Sequence, residues 1–302
     1  MSVGSESSVP GDFIDDFELK DGRRLDLWVS GPGDGPVLVF HHGTPGSAVR
    51  DRSILRPAHE RGMRVVSWSR PGYGGSTRQP GRRVVDVVSD TVEILEALGV
   101  DSCVVGGGSS GGPHSLACAA RLEAAQAALV VSSHAPFEAE GLDFLAGMGG
   151  DNISEYGAAL EGEETLREYL EAEREQLVDV TVEGLIGALS SLLPEVDRAM
   201  LTDEFGEDVI AGLREALRTG VDGWLDDDLA FVNPWGFELG EISTPTMIWH
   251  GSEDLFNPFS HGQWLAEHVP GTSPHLMAGQ GHLSLWETFP SMLDELLAGA
   301  QD

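Results

Sequence analysis

Residues 104–113 contain the side chain that we interpret as a nucleophile. They read V-V-G-G-G-S-S-G-G-P, so an apolar run ends in glycines, two serines follow, and two further glycines lead into a helical pattern. A serine held on a sharp strand-to-helix turn needs small neighbours two positions before and two positions after it. Gly107 and Gly111 meet this requirement for Ser109, which we therefore favour. Ser110 is the alternative nucleophile and otherwise offers its backbone N–H.

The same glycines also match a dinucleotide-binding pattern. Gly106, Gly108 and Gly111 spell G-x-G-x-x-G between a strand and a helix. The next apolar run, residues 127–131, ends in S-S-H without an acidic residue for a ribose hydroxyl, and the motif does not open the first βαβ unit. This context argues against nucleotide binding. A tight turn without chemistry stays open from these residues alone.

A serine hydroxyl attacks only when a base removes its proton and a third group orients that base. In an α/β sheet these groups follow later strands, in the order Ser, acid, His. The run Met247–Trp249 leads into H-G-S-E-D, where Asp254 is the predicted carboxylate and Glu253 the fallback. The run Pro274–Met277 leads through G-Q-G to His282, the predicted base.

The negative charge that develops on a substrate carbonyl oxygen needs N–H donors, each worth about 3 to 4 kcal/mol. Ser110 is predicted to give one backbone N–H. The loop H-H-G-T-P-G-S after the run Val37–Phe40 is predicted to give the other, from Thr44. The adjacent His41 and His42 point to opposite faces of a strand and do not suggest a metal site. We expect no metal and no other cofactor.

Short apolar runs without polar alternation are typical of strands covered on both faces of a parallel sheet. The runs of this kind are Val37–Phe40, Arg64–Trp68, Cys103–Val105, Ala128–Val131 and Met247–Trp249. Two further strands, Phe17–Leu19 and Leu25–Val29, are joined by the hairpin dipeptide Asp21-Gly22. The pattern of Val84–Leu98 predicts a helix capped by Gly99. This alternation predicts an α/β fold with a mostly parallel sheet and helices on both faces.

Helical spacing replaces the alternation between His134 and Ile242. The helices predicted there are Glu164–Val178, Val182–Leu193 and Val209–Leu217. We interpret residues 137–240 as a helical cap that acts as a lid, and residues 1–136 and 241–302 as the α/β core. The aromatic residues of the cap that could line an apolar acyl pocket are Trp224, Phe231, Trp235 and Phe237.

The composition narrows the partners of this 302-residue chain. Its 50 acidic and 18 basic residues give a net charge of -32, which argues against nucleic acid, an anionic membrane or an anionic substrate. No segment approaches the roughly 20 apolar residues that span a bilayer, and the first 16 residues lack an apolar signal segment. Cys103 and Cys118 are expected to be buried thiols. We predict a cytoplasmic protein with a small-molecule substrate, and the oligomeric state stays open.

Five motifs together resemble the α/β-hydrolase fold superfamily. They are H-H-G-T-P-G, S-R-P-G-Y-G-G-S at residues 69–76, V-V-G-G-G-S-S-G-G, H-G-S-E-D and G-Q-G-H. The resemblance implies an eight-stranded, mostly parallel sheet, a helical cap between strands six and seven, and a triad of Ser109, Asp254 and His282. The sequence departs from the pattern at Gly108, where relatives often carry a bulky residue. This glycine is expected to leave room in the pocket or to loosen the turn.

These features predict a serine hydrolase that cleaves an ester, thioester, lactone or amide of a small neutral substrate through an acyl-enzyme, with a cationic substrate as the second choice. Epoxide hydrolases and haloalkane dehalogenases resemble the chain in the His-Gly loop, but they carry Asp at the nucleophile, so the serine argues against both. Three alternatives stay open: a lyase or carbon–carbon bond hydrolase with the same triad, a binding protein with this fold, and a proline iminopeptidase-like aminopeptidase.

Overall fold

The computed structural model describes residues 11–49 and 51–301. Eight strands form one sheet: β1 (Gly11–Glu18), β2 (Arg24–Ser30), β3 (Val37–His41), β4 (Arg64–Trp68), β5 (Cys103–Gly108), β6 (Ala125–Val131), β7 (Thr246–Gly251) and β8 (Ser273–Met277). The α-helices of this part are α1 (Arg52–Glu60), α2 (Val87–Leu98), α3 (Gly112–Arg121), α4 (Gly150–Glu161), α5 (Glu163–Leu177), α6 (Val182–Ala188), α7 (Glu195–Arg198), α8 (Asp203–Ala216), α9 (Asp222–Phe231), α10 (Phe259–His268) and α11 (Phe289–Gly299).

The strand order explains how distant loops meet. The strands lie in the order β1-β2-β4-β3-β5-β6-β7-β8, and all pairs from β4 to β8 are parallel, whereas β1 and β2 pair antiparallel. His41 at the end of β3 lies opposite Gly107 of β5, and Gly108 lies opposite Val131 at the end of β6. The carboxyl ends of the parallel strands therefore share one edge of the sheet, which is where ligands bind in such folds.

Alternate residues of the central strands pack on opposite faces, as the pleat requires. Val39 and Val105 belong to one apolar cluster, with residues of α2, α3 and α10. Leu38 and Val104 belong to the other, with residues of α1 and α11. Because both faces are covered, every residue of β3 and β5 is buried. The prediction of a mostly parallel eight-stranded sheet with helices on both faces is confirmed.

Helices α4 to α9 lie between β6 and β7 and pack around a third apolar cluster that includes Leu166, Leu170 and Leu225. Helix α5 matches its predicted span within one residue. The predicted helix Val182–Leu193 is wrong in its second half, because α6 ends at Ala188 and residues 189–192 form turns. The residue before a proline disfavours the helical conformation, and Pro194 follows directly.

Other helix ends also differ from the sequence prediction. Helix α8 begins at Asp203 rather than Val209, and Asp203 and Glu204 place two carboxylates in its first turn, where the helix dipole favours negative charge. Helix α2 begins at Val87 rather than Val84, because residues Val84–Asp86 form a 3-10 turn, and it ends at Leu98 with Gly99 as a left-handed cap, as expected. Cys103 and Cys118 are buried free thiols. Within residues 11–49 and 51–301, we find no helix with the length and apolar character needed to cross a bilayer.

Candidate active site

Ser109 sits at the turn between β5 and α3 in a strained conformation. Its φ angle is 53°, in the left-handed region that non-glycine residues rarely adopt. A Cβ atom at Gly107 would overlap the carbonyl oxygen of Gly111, and a Cβ at Gly111 would overlap the carbonyl oxygen of His41. The two glycines are thus required by close backbone approach, and they let the turn project Ser109 at the edge of the sheet.

Trp286 occupies the space beside Gly108. A Cβ atom at Gly108 would overlap the six-membered ring of the Trp286 indole, which also packs edge-on against Phe40 with ring centroids 6.0 Å apart. The expectation that Gly108 opens the pocket or loosens the turn is therefore not met. A side chain from the end of the chain fills the volume that a bulky residue before the serine would take.

His282 and Asp254 lie side by side in the loops after β8 and β7. The Nδ1 atom of His282 is 2.8 Å from Oδ2 of Asp254, and both residues are buried. The Oδ1 atom of Asp254 accepts the backbone N–H groups of Phe256 and Asn257, each at 2.9 Å, which fixes the carboxylate. Glu253, the fallback, is exposed to solvent.

The charge environment of His282 differs from that of the other buried histidines. Burial alone would lower its pKa, but the carboxylates of Asp254 and Asp197 outweigh burial and raise the pKa above its usual value. Burial lowers the pKa of His41 and of His134 to about 3. His282 is therefore the histidine among these three that can accept a proton near neutral pH.

Asp197 in α7 was not predicted as a site residue. Its carboxylate is fully buried and accepts the backbone N–H groups of three consecutive residues, His282 at 2.7 Å, Leu283 at 2.9 Å and Ser284 at 2.8 Å. The two segments are 85 residues apart in sequence, so no local motif announces the contact. Asp197 therefore connects α7, one of the helices between β6 and β7, to the loop that carries His282.

The loop of Gly43 and Thr44 packs directly against Ser109. A Cβ atom at Gly43 would lie 3.3 Å from Cβ of Ser109, a tight contact, so the glycine lets the backbone approach the serine without displacing it. The guanidinium of Arg70 donates hydrogen bonds to the carbonyl oxygens of His42 and Gly43 and to Oγ1 of Thr44. Arg70 thereby fixes the backbone beside the serine. It lies in the S-R-P-G-Y-G-G-S motif, which could have identified it.

Asp227 in α9 binds the same arginine from the other side. It is fully buried and accepts hydrogen bonds from Arg70 at 2.7 Å, Arg82 at 2.6 Å, the Tyr73 hydroxyl at 2.8 Å and the Thr44 hydroxyl at 2.6 Å. Burial alone would raise the pKa of Asp227, but the two guanidinium groups hold it well below the usual range. This ionised carboxylate connects α9 to the loop of Thr44.

A cavity of about 320 Å³ brings the predicted residues together. Ser109, Ser110, Thr44 and His282 line it, and Trp224 lies on its wall. Asp254 is not part of the cavity wall and contacts Nδ1 of His282.

Three of the four aromatic candidates lie outside this cavity. Phe231 is fully buried against His134, with ring centroids 4.7 Å apart. Trp235 and Phe237 stack on each other along a separate depression. The expected acyl pocket is therefore corrected to Trp224 alone, because the chain after α9 turns away toward the core. In residues 11–49 and 51–301 we find no cluster of three side chains suited to holding a metal ion.

Comparison with known proteins shows which family and which folds the chain resembles. The family described as alpha/beta hydrolase fold matches residues 36–151, which hold β3 to β6 and the Ser109 turn. The chain is 36% identical over 94 residues to a bifunctional esterase/perhydrolase of Acinetobacter calcoaceticus, covering 31% of this chain and 34% of that protein. It is 29% identical over 210 residues to epoxide hydrolase B of Mycobacterium tuberculosis, covering 67% of this chain and 56% of that protein.

The chain thus spans about a third and just over half of these two curated relatives. Among solved structures, an enol-lactonase from Burkholderia xenovorans LB400 has a TM-score of 0.66 at 16% identity, covering 93% of this chain and 97% of that chain. At this identity the likeness concerns the fold. The sheet order, the strained serine turn and these matches lead to one assignment: the chain has the α/β-hydrolase fold, and its residues 36–151 match the family of that name.

Proposed function

We propose that this protein is a serine hydrolase that cleaves an ester, thioester, lactone or amide of a small substrate. The observation that carries the proposal is the His282–Asp254 pair, 2.8 Å apart, on the same cavity as a serine held in a left-handed turn. A raised pKa at His282 suits a base that operates near neutral pH. Asp254 holds the imidazole in the tautomer whose Nε2 accepts a proton.

In the proposed reaction, Oγ of Ser109 attacks the substrate carbonyl carbon while its proton passes to Nε2 of His282. The backbone N–H groups of Thr44 and Ser110 bind the oxygen that becomes negative. Collapse of this tetrahedral species breaks the bond to the leaving group, which takes the proton from His282. Water then attacks the acyl-enzyme, loses a proton to His282 and releases the acid, with the proton returned to Ser109.

The cavity volume of about 320 Å³ lies at the small end of ligand pockets, which run from about 300 to 1,000 Å³. We therefore propose a small substrate, and residues 137–240 as the lid that excludes water from it. The net charge of -32 disfavours an anionic substrate.

The relatives do not transfer their reactions directly. The match to an epoxide hydrolase covers Ser109, but a hydrolase of that class requires a carboxylate at this position, so epoxide opening is not our proposal. A carbon–carbon bond hydrolase would use the same triad and differ only in the bond cleaved. An activated ester and a covalent probe test the serine nucleophile that both reactions need.

The test uses 4-nitrophenyl butanoate and a fluorophosphonate probe on the purified protein. We expect nitrophenol release and one covalent adduct at Ser109. The variant Ser109→Ala should lose at least about 10³-fold in kcat and all labelling. The matched variant Ser110→Ala keeps the backbone N–H and should retain labelling. Absence of both hydrolysis and labelling in the folded wild-type protein would exclude a serine hydrolase, and equal loss in the two variants would exclude Ser109 as the nucleophile.

A further inference from the structure

Helix α9 presents three consecutive aspartates, and only two of them face arginine. Asp226 pairs with Arg78 at 2.8 Å, and Asp227 pairs with Arg70 and Arg82. Asp228 makes no ion pair with any residue in the ranges 11–49 and 51–301, although it is only 1% exposed. Burying a carboxylate without a cation costs folding free energy, so the lack of an arginine partner at Asp228 needs an explanation.

A second carboxyl group lies against Asp228. Glu155 of α4 interacts with it through a proton that the two carboxyl groups share, and the Nε1–H of Trp224 donates to Oε1 of Glu155 at 2.7 Å. The Oδ2 atom of Asp228 is buried and accepts no hydrogen bond from any N–H or hydroxyl donor in the described part of the chain. The pair therefore has unused capacity to accept hydrogen bonds.

The surroundings of the pair are mainly negative. Burial raises the pKa of both carboxyl groups, that of Glu155 to about 7, and the charge of Glu155 raises the pKa of Asp228 further. Asp151 and Glu173 add negative charge at Glu155, and Asp227 adds it at Asp228. The positive charge of Arg82 acts to lower the pKa of Asp228, but the Arg82 guanidinium is bound to Asp227. The pair keeps a proton because no fixed cation balances its two carboxyl groups.

Both carboxyl groups line the cavity that contains Ser109 and His282. A substrate bound in this cavity therefore has both the pair and the nucleophile on its walls. A protonated amine matches the pair in two respects, since it brings a positive charge and at least one N–H donor for the unused oxygens. A carboxylate or phosphate would be repelled there by the charge of the pair and by Asp151 and Glu173.

We propose that Glu155 and Asp228 bind the ammonium group of the substrate, so that this hydrolase acts on esters or amides that carry a protonated amine. This inference rests on the proposed function for the chemistry at Ser109. It departs from the neutral substrate predicted from sequence. When the ammonium binds, the pair releases its shared proton to solvent and the cation replaces it, which balances the charge.

Two isosteric esters test the inference on the wild-type protein. In 3-(dimethylamino)propyl butanoate a protonated nitrogen with one N–H replaces the tertiary carbon of 4-methylpentyl butanoate. We expect kcat/KM at pH 8 to favour the amine ester by at least about tenfold, the value of one charge-assisted hydrogen bond of 1.4 kcal/mol. A ratio of one or less would overturn the inference while leaving the proposed function intact if both esters are cleaved.

Variants assign the preference to the pair. Asp228→Asn and Glu155→Gln should each bring the ratio of the two kcat/KM values close to one. Glu161→Gln removes the same charge from an exposed position on α4 and should keep the wild-type ratio. A ratio that survives in both pair variants would overturn the inference.

Binding without catalysis provides a readout that does not depend on turnover or on the folding of the pair variants. Calorimetry on Ser109→Ala should show tighter binding of the amine ester than of its isostere. The affinity for the amine ester should weaken by about tenfold from pH 8 to pH 6, because a group with a pKa near 7 changes from mostly ionised to mostly protonated. Equal, pH-independent affinities would overturn the inference. Preferential binding of the amine ester without hydrolysis of either ester by the wild-type protein would support the ammonium site and exclude the proposed function.

Discussion

The carboxylate of Asp197 lies under the backbone of His282, with Oδ2 2.7 Å from the His282 nitrogen. Its other oxygen accepts the next two N–H groups of the same loop. A carboxylate that accepts three backbone N–H groups fixes the path of that backbone. Asp197 is therefore placed to position the proposed base through its main chain and, by its charge, to hold a proton on the imidazole more strongly.

We expect Asp197→Asn to change the pH dependence as well as the rate. The carboxylate of Asp197 helps to raise the pKa of His282, so its loss should lower that pKa. A base must be neutral to act, so kcat/KM for 4-nitrophenyl butanoate falls as the pH drops through this pKa. The acid limb of the profile should therefore move to lower pH, and its plateau should fall by about tenfold or more. Asp179→Asn, at an exposed position, should change neither. An unmoved acid limb would contradict the electrostatic role.

Asp227 and Asp226 offer a matched pair for stability. Asp227→Asn leaves the buried guanidinium groups of Arg70 and Arg82 without their carboxylate, and we expect a loss of about 3 to 5 kcal/mol in the free energy of unfolding. Asp226→Asn affects Arg78, which is partly exposed and also faces Asp222, so its loss should be about 1 kcal/mol. Urea denaturation monitored by circular dichroism measures both. Equal losses would show that the Asp227 cluster is no stronger than a surface pair.

Gly108 and Trp286 should be energetically coupled. Because a Cβ atom at Gly108 would overlap the indole, Gly108→Ala should cost about 1 to 3 kcal/mol of stability through overpacking. The same substitution in a Trp286→Ala background should cost less by about 1 kcal/mol or more, since the ring is gone. A double-mutant cycle from four urea curves measures this difference. Additive effects within about 0.5 kcal/mol would mean that the ring moves aside freely.

Glu155 should make stability depend on pH in a defined direction. Its folded pKa of about 7 lies above its ordinary value of 4.5, so the stabilising contribution is fully present below pH 4.5 and is lost as the pH rises through 7. Glu155→Gln removes this titration. The unfolding free energy of the wild-type protein minus that of the variant should fall between pH 5 and pH 8 by roughly 1 to 2 kcal/mol, after allowance for solvent screening. A constant difference would contradict the raised pKa.

The sequence predicted the sheet well because its signals are local. Each buried strand is a short apolar run, and the residues that follow β3, β5, β7 and β8 are the ones that the structure gathers at one edge. Strand order then brings Ser109 and His282 to one cavity although they are far apart in the chain. The candidate catalytic residues in the loops after the strands could therefore be predicted from local sequence motifs.

Other residues of the site have no local signal. Asp197, Asp227 and Asp228 lie in helices rich in acidic residues, where a solvated carboxylate and a buried one look alike in sequence. Their burial depends on how α7 and α9 pack against loops from other parts of the chain. For the same reason the sequence assigns Phe231, Trp235 and Phe237 to the pocket, although only Trp224 of the four aromatic candidates lines it.

The hydrogen bonds of Asp197 and the ion pairs of Asp227 also affect how a substrate could enter the cavity. A motion that lifted α9 from the core would separate Asp227 from Arg70 and Arg82, and at about 4 kcal/mol this loss would hold such an open form near one molecule in a thousand. A motion of α7 would break the three hydrogen bonds that Asp197 accepts from the His282 loop. Helices α4 to α6 make no buried ion pair with the core in the residues that the structure describes. Substrate is therefore expected to reach Ser109 when α4 to α6 move away from the core. The rate of product release would then depend on these three helices and not on a movement of α4 to α9 together.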